Sequence, residues 1–279
     1  MLEIIQAIVY GVIQGITEFL PISSTAHLRV IPTLFGWQDI GAAYTAVIQI
    51  GTIIAVFVYF RKDIWELIKG FFGAFKSKNF LSDSYARLAI IIIIGTIPIS
   101  VLGVILKKFI EGGARGLYVI AIVAIVMAIL LWISEKIGKR EKGFEEITLS
   151  KGFFIGCMQA IALIPGTSRS GITITAGLFA GIQRDAAARF SFLLSIPAVT
   201  LSGFYELYQE RENLIGQSKL SLIIATAVSG IVGYYCIKYF ISFLKTKSNM
   251  VFVVYRIILG IVILGLLYFG VLHNMDGIH

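Results

Sequence analysis

The chain has 279 residues, of which 57% are hydrophobic and 14% charged, with a formal net charge of +8; a soluble domain carries about 25% charged residues. Stretches at 41–60, 88–106 and 117–134 run roughly 20 residues almost without charge, the length that crosses a hydrocarbon core of about 30 Å. The composition therefore excludes a soluble domain and points to an all-α polytopic membrane protein, whose positive balance belongs to cytoplasmic loops and not to nucleic-acid binding.

The first segment, residues 1–20, is helical in pattern. Gly11, Gln14, Gly15 and Glu18 follow the i, i+3, i+4, i+7 spacing of one helix face. No basic n-region or small-residue cleavage site marks it as a signal peptide, so it is expected to stay in the mature protein. Pro21 stops this helix, and Ser23, Ser24 and Thr25 can cap a second, short one over 24–36. Neither piece reads as a full span; together they predict a hairpin that enters the membrane and turns back.

Residues 41–60 form the first full span. The polar loop after it carries Arg61, Lys62, Lys69, Lys76 and Arg87, and its part from Ile64 to Phe75 suits an interfacial amphipathic helix. Spans over 88–106, with Pro98 as a kink, and over 117–134 complete the first half. The second half repeats the plan. A broken hairpin over 151–165 and 170–182 precedes spans at 187–207, 219–242 and 250–272. Lone Cys157 and Cys236 offer neither a disulfide framework nor metal-thiolate spacing.

A re-entrant hairpin adds no crossing, and three spans follow it in each half. The second half then starts on the opposite face, so the chain reads as one integral membrane domain, 1–279, of two inverted repeats, about 1–138 and 151–272. The Lys- and Arg-rich loops 61–87, 135–151 and 243–249 share one side, expected to be cytoplasmic. The 107–116 and 207–219 loops and both termini share the other, expected to be outside.

The two hairpins carry matching cassettes, GVIQGITEFLPISSTAH from Gly11 and GCMQAIALIPGTSRSG from Gly156. Aligned on Gln14 and Gln159, with one deletion, Ser23, Ser24 and Thr25 fall on Thr167, Ser168 and Arg169. Ionisable residues at membrane depth are costly and are candidates for function; Glu18, His27 and Arg169 meet that description. The first cassette supplies acid–base and nucleophile groups, the second a guanidinium, and each adds N–H groups at the start of a short helix. A serine, a base and a guanidinium fork together suit phosphoryl transfer. Glu18 could alternatively hold Mg²⁺ against the phosphates.

The two motifs resemble the signatures of the undecaprenyl-diphosphatase family, the bacitracin-resistance type of integral membrane phosphatase, and the resemblance extends over essentially the whole chain. It implies removal of the terminal phosphate from undecaprenyl diphosphate, which recycles the carrier lipid for cell-wall synthesis, at the outer face of the bacterial cytoplasmic membrane. It carries the acidic motif onto Gln14 and Glu18, the serine onto Ser24, the histidine onto His27 and the arginine motif onto Ser168 and Arg169. Many relatives have glutamate where this chain has Gln14. An amide is no general base, so Gln14 is expected to orient or bind, and Glu18 carries any base or metal role on that helix face alone. Glu18 or His27 is expected to handle protons at the nucleophile.

The expected catalytic set is Glu18, Ser24, His27 and Arg169. Ser24 acts as nucleophile or positions the attacking water. The expected substrate-binding set is Gln14, Ser23, Thr25, Thr167, Ser168, Ser170 and Gly171. The expected cofactor is a divalent cation, Mg²⁺, at Glu18. The expected partners are a prenyl diphosphate lipid, membrane lipids and a second copy in a homodimer. The rival reading from inverted repeats with broken helices is a secondary transporter or lipid flippase.

Overall fold

A computed structural model describes residues 2–37, 41–77, 83–106, 116–209 and 218–275, without the side chains of residues 42 and 77. The loop segments 78–82, 107–115 and 210–217, on which part of the expected loop sidedness falls, lie outside the described residues. Eleven α-helices follow one another among the described residues: α1 Leu2–Thr17, α2 Ser24–Leu34, α3 Gly41–Tyr59, α4 Arg61–Ser77, α5 Ser84–Ile105, α6 Leu117–Ile137, α7 Leu149–Gln159, α8 Arg169–Phe179, α9 Arg184–Gln209, α10 Lys219–Leu244 and α11 Met250–Tyr268. A 3₁₀ turn, Ala160–Leu163, extends α7.

Five helices, α5, α6, α9, α10 and α11, are long and apolar enough to cross a membrane, and a sixth candidate is the bent pair α3–α4. The chain is a multi-pass membrane protein. This candidate pair bends by 75° between Ala43–Tyr59 and Arg61–Lys76. Gly70, in the middle of α4, crosses the start of α5 so closely that a Cβ would lie 2.7 Å from the Ala86 nitrogen. Exposed Trp65, Ile68, Phe72 and Phe75 share a face of α4, as the interfacial helix expected over Ile64 to Phe75 requires.

Burial ranks the spans. In α9, 61% of the spanning window is buried, against 28–39% in the other four, so α9 is the central post and the rest expose a face to lipid. Phe190, Phe192, Leu193 and Leu194 of α9 join Phe19, Phe60, Leu131, Ile155 and Ile237 in the main core.

The short helices lean on spans of the opposite half. α1 packs on α10, and α7 packs on α5. Both approaches depend on small residues four apart. A Cβ on Gly15 would lie 2.8 Å from the Ser229 carbonyl oxygen, and one on Gly156 would lie 2.4 Å from the Gly95 Cα. At the basic end, the buried Glu135 carboxylate ties three helices together. It accepts from Arg184 at 2.7–3.0 Å, from Arg140 at 3.2 Å, and from the Asn249 backbone and side-chain nitrogens at 2.8 Å each.

The glycine contact between α5 and α7 gives a direct test. Gly156→Val must push backbone from backbone and should cost about 1–3 kcal/mol or more, lowering the unfolding midpoint in detergent. Gly73→Ala, with open space around it, should leave that midpoint in place. A Gly156→Val protein as stable as the parent would contradict the packing of α7 on α5.

Candidate active site

Each cassette bends its chain in the same way. Pro21 and Pro165-Gly166 end the first leg, and a serine with positive φ opens the second. Ser23 has φ 72° and caps α2 by accepting from the Ala26 nitrogen; Ser168 has φ 66° and caps α8 by accepting from the Gly171 nitrogen. A non-glycine residue in that region is strained and persists only where its surroundings hold it. α2 and α8 are each 11 residues long.

One constant shift relates Gln14 to Gln159, Ser23 to Ser168, and Ser24–Leu34 to Arg169–Phe179. The deletion expected from sequence is therefore unnecessary. The proline was aligned on proline, whereas the structure aligns strained serine on strained serine. Ser24, not Thr25, is the counterpart of Arg169, and the opening position of the short helix is a hydroxyl in one half and a guanidinium in the other.

The two halves meet at an ion pair. Arg169 Nη2 donates to Glu18 Oε1 at 2.9 Å, with side-chain exposures of 12% and 7%. Both oxygens of Glu18 are engaged, because Oε2 accepts from Gln14 Nε2 at 3.0 Å and from Ser24 Oγ at 3.3 Å. A second strand of contacts reinforces the first: Ser170 Oγ donates to the Leu20 carbonyl at 3.0 Å and lies 3.2 Å from Ser168 Oγ. Arg169 Nη1 also reaches the Ser191 carbonyl on α9 at 3.4 Å. Gln14, Glu18, Ser24 and Arg169 thus form one hydrogen-bonded cluster.

The other expected residues lie around it in different ways. Ser23 and Ser168 cap helices. Thr167 turns its hydroxyl back to the Ile161 carbonyl. Thr25 is exposed. Gly171 donates its backbone N–H to the Ser168 hydroxyl at 3.2 Å. His27 is buried, and its hydrogen bonds go elsewhere: Nδ1 to the Ser23 carbonyl at 2.8 Å, and Nε2 to the Tyr255 hydroxyl at 2.6 Å. A carbonyl only accepts, so Nδ1 carries a proton and donates to Ser23, while Nε2 pairs with the Tyr255 hydroxyl.

Tyr255 and its neighbour Arg256, both on α11, are residues the sequence reading missed. Arg256 is 1% exposed and donates to the carbonyls of Ala124, Pro21, Gly166 and Thr167. The rule that picks out ionisable residues at membrane depth applies to it as much as to Glu18; only its distance from the cassettes in sequence hid it.

A family model described as "Bacitracin resistance protein BacA" matches residues 7–262. The chain belongs to the BacA family. Among its relatives, the undecaprenyl-diphosphatase of Myxococcus xanthus is 48% identical over 277 residues, covering 99% of this chain and 93% of that protein. That of Chlorobium phaeobacteroides is 47% identical over 280 residues, covering 97% and 99%. That of Trichormus variabilis is 49% identical over 278 residues, covering 98% and 87%. The sequence resemblance to this family is thereby confirmed over nearly the full length.

Among the described residues of this BacA protein, no group of three or more His, Cys, Asp or Glu side chains is placed to hold a metal unaided. The cluster does hold one buried oxygen, Gln14 Oε1, with no hydrogen-bond partner. Glu18 and Arg169 of the same cluster line a cavity of about 10 Å³, room for about one water. Its remaining walls come from Phe19, from Thr52, Ile53 and Val56 of α3, and from Ser195, Ile196 and Val199 of α9.

Proposed function

We propose that this protein hydrolyses undecaprenyl diphosphate to undecaprenyl phosphate and inorganic phosphate, recycling the carrier lipid of cell-wall synthesis and so conferring bacitracin resistance. The observation that carries the reading is the Glu18–Arg169 pair with Ser24 on the same carboxylate, in a chain of this family. A carboxylate, a hydroxyl within its reach and a buried guanidinium are the parts that phosphoryl transfer needs.

Arg169 offers its fork to the terminal phosphate, displacing Glu18 Oε1. Freed from the guanidinium, Glu18 accepts the Ser24 proton. Ser24 Oγ then attacks the terminal phosphorus, the bond from phosphorus to the bridging oxygen breaks and undecaprenyl phosphate leaves. A water that gives its proton to Glu18 cleaves the phosphoserine, releasing phosphate as the serine oxygen takes a proton back; or Ser24 instead orients a water that attacks directly and yields phosphate in one step. The N–H groups at the starts of α2 and α8 face the accumulating charge. His27, with both nitrogens engaged, fixes the first turn of α2 and leaves proton handling to Glu18. The small apolar crevice between α3 and α9 has room for about one water at rest, so its walls must part for the prenyl chain to run from the Glu18–Arg169 pair towards lipid.

A divalent ion, Mg²⁺, fits this site as a companion of the substrate. Mg²⁺ is typically held by one or two carboxylates plus phosphate oxygens; Glu18 and the unpartnered Gln14 Oε1 are the protein ligands available. Such an ion would neutralise charge on the phosphates.

The reading includes two repeats of inverted topology in a single domain, which the exchanged packing of α1 on α10 and α7 on α5 supports. It places the termini and the site on the outer side of the bacterial cytoplasmic membrane. Cysteines introduced in the 107–116 loop should react with an impermeant thiol reagent on spheroplasts, and those in 135–151 should not; labelling of 135–151 from outside would reverse the orientation.

The activity is tested by phosphate release from a prenyl diphosphate by purified protein in detergent, across pH and Mg²⁺ series. A transporter or flippase would release none. Glu18→Gln should lose about a hundred-fold or more of the wild-type rate, as loss of a general base does. Gln14→Glu should keep activity with a changed pH or Mg²⁺ profile, and Val199→Trp, which fills the crevice, should slow long prenyl chains more than short ones. An active Glu18→Gln would overturn the assignment.

A further inference from the structure

Arg256 sits in α11 and heads the largest fully buried side chains among the described residues. Its Nε donates to the Ala124 carbonyl on α6 at 3.2 Å, its Nη1 to the Pro21 carbonyl at 3.2 Å, and its Nη2 to the Gly166 and Thr167 carbonyls at 2.9 Å each. The last three acceptors belong to the two turns that lead into Ser23 and Ser168. One guanidinium therefore binds both strained turns, from segments far apart in the sequence. Gly171 leaves it room: a Cβ there would lie 2.8 Å from Nη1.

Burying a guanidinium in a membrane protein is costly, and filling space between helices does not need a charge. What needs a planar fork of five donors is the convergence of carbonyls from separate segments. Without it the Pro21, Gly166 and Thr167 carbonyls would be buried and unpaired, and the positive φ of Ser23 and Ser168 would lose its support. The position of the charge matters as well. It lies on the carbonyl side of the peptides that precede α2 and α8, so it adds to the positive potential at both helix starts.

We propose that Arg256 is a positioning residue for the diphosphate site. It locks the two turns together so that the first residues of α2 and α8, Ser24 and Arg169, meet at one phosphate. It touches neither the substrate nor Glu18; it acts through the turns. The proposal rests on the phosphatase reading above and names the residue that holds that site in register.

The test uses full-length protein in detergent, with phosphate release from a prenyl diphosphate as the readout. Arg256→Lys keeps the charge and loses the fork. We expect a folded protein by gel filtration, with kcat down about ten-fold or more and KM within about three-fold of wild type, since placement of the reacting groups is felt mainly in the transition state. Because Arg256 acts through the turn that carries Arg169, Arg169→Lys combined with Arg256→Lys should lose much less than the product of the two single losses.

If Arg256→Lys does not fold, Arg256→Gln, neutral and cheaper to bury, takes its place with the same expectation. Wild-type kcat per folded molecule in either variant overturns the proposal, as do losses that multiply in the double variant. Failure of both variants to fold assigns Arg256 to the fold alone and overturns it too. No phosphate release by the wild-type protein would instead sink the phosphatase reading.

Discussion

The ion pair between Glu18 and Arg169 is the contact on which the rest of the structure depends. Its two members come from opposite halves of the chain, and both are largely buried. Breaking such a pair from one side leaves a buried charge unpaired and typically costs about 3–5 kcal/mol, so neither half can drift without penalty. The same contact is what a phosphorylated ligand would exploit. A phosphate oxygen can replace a carboxylate oxygen on a guanidinium, and Glu18 then changes from partner to base.

The surrounding fold serves to bring two interrupted helices to one point. Glycine contacts seat α1 on α10 and α7 on α5. Buried α9 backs the site from one side, offering the Ser191 carbonyl to Arg169. From the other side α11 offers Tyr255 to His27 and Arg256 to both turns. Irregular backbone at this depth is tolerable only because its polar groups find such partners.

Much of this was legible in the sequence. Apolar runs of spanning length, the prolines in the breaks after α1 and α7, and the serine cap of α2 are local signals, and each has its counterpart in the structure. The cluster of Gln14, Glu18, Ser24 and Arg169 was visible as two related cassettes. The register between them was not, because proline is a conspicuous anchor for an alignment and a positive φ at serine leaves no mark in sequence. His27 drew attention beside Glu18, yet its partners are the Ser23 carbonyl and a tyrosine more than 200 residues away. Arg256 was hidden for the same reason: tertiary packing, not spacing, made it part of the site.

The most direct measurement of the central claim is the affinity of a non-hydrolysable prenyl diphosphonate, with chelator present to remove the divalent ion. If the resting guanidinium is held by Glu18 and handed to the ligand, Glu18→Gln should bind the diphosphonate several-fold more tightly than wild type while its turnover is lost. Arg169→Lys should bind it about ten-fold or more weakly, the loss expected when a charged hydrogen bond goes. Weaker binding by Glu18→Gln, comparable to that of Arg169→Lys, would contradict the account.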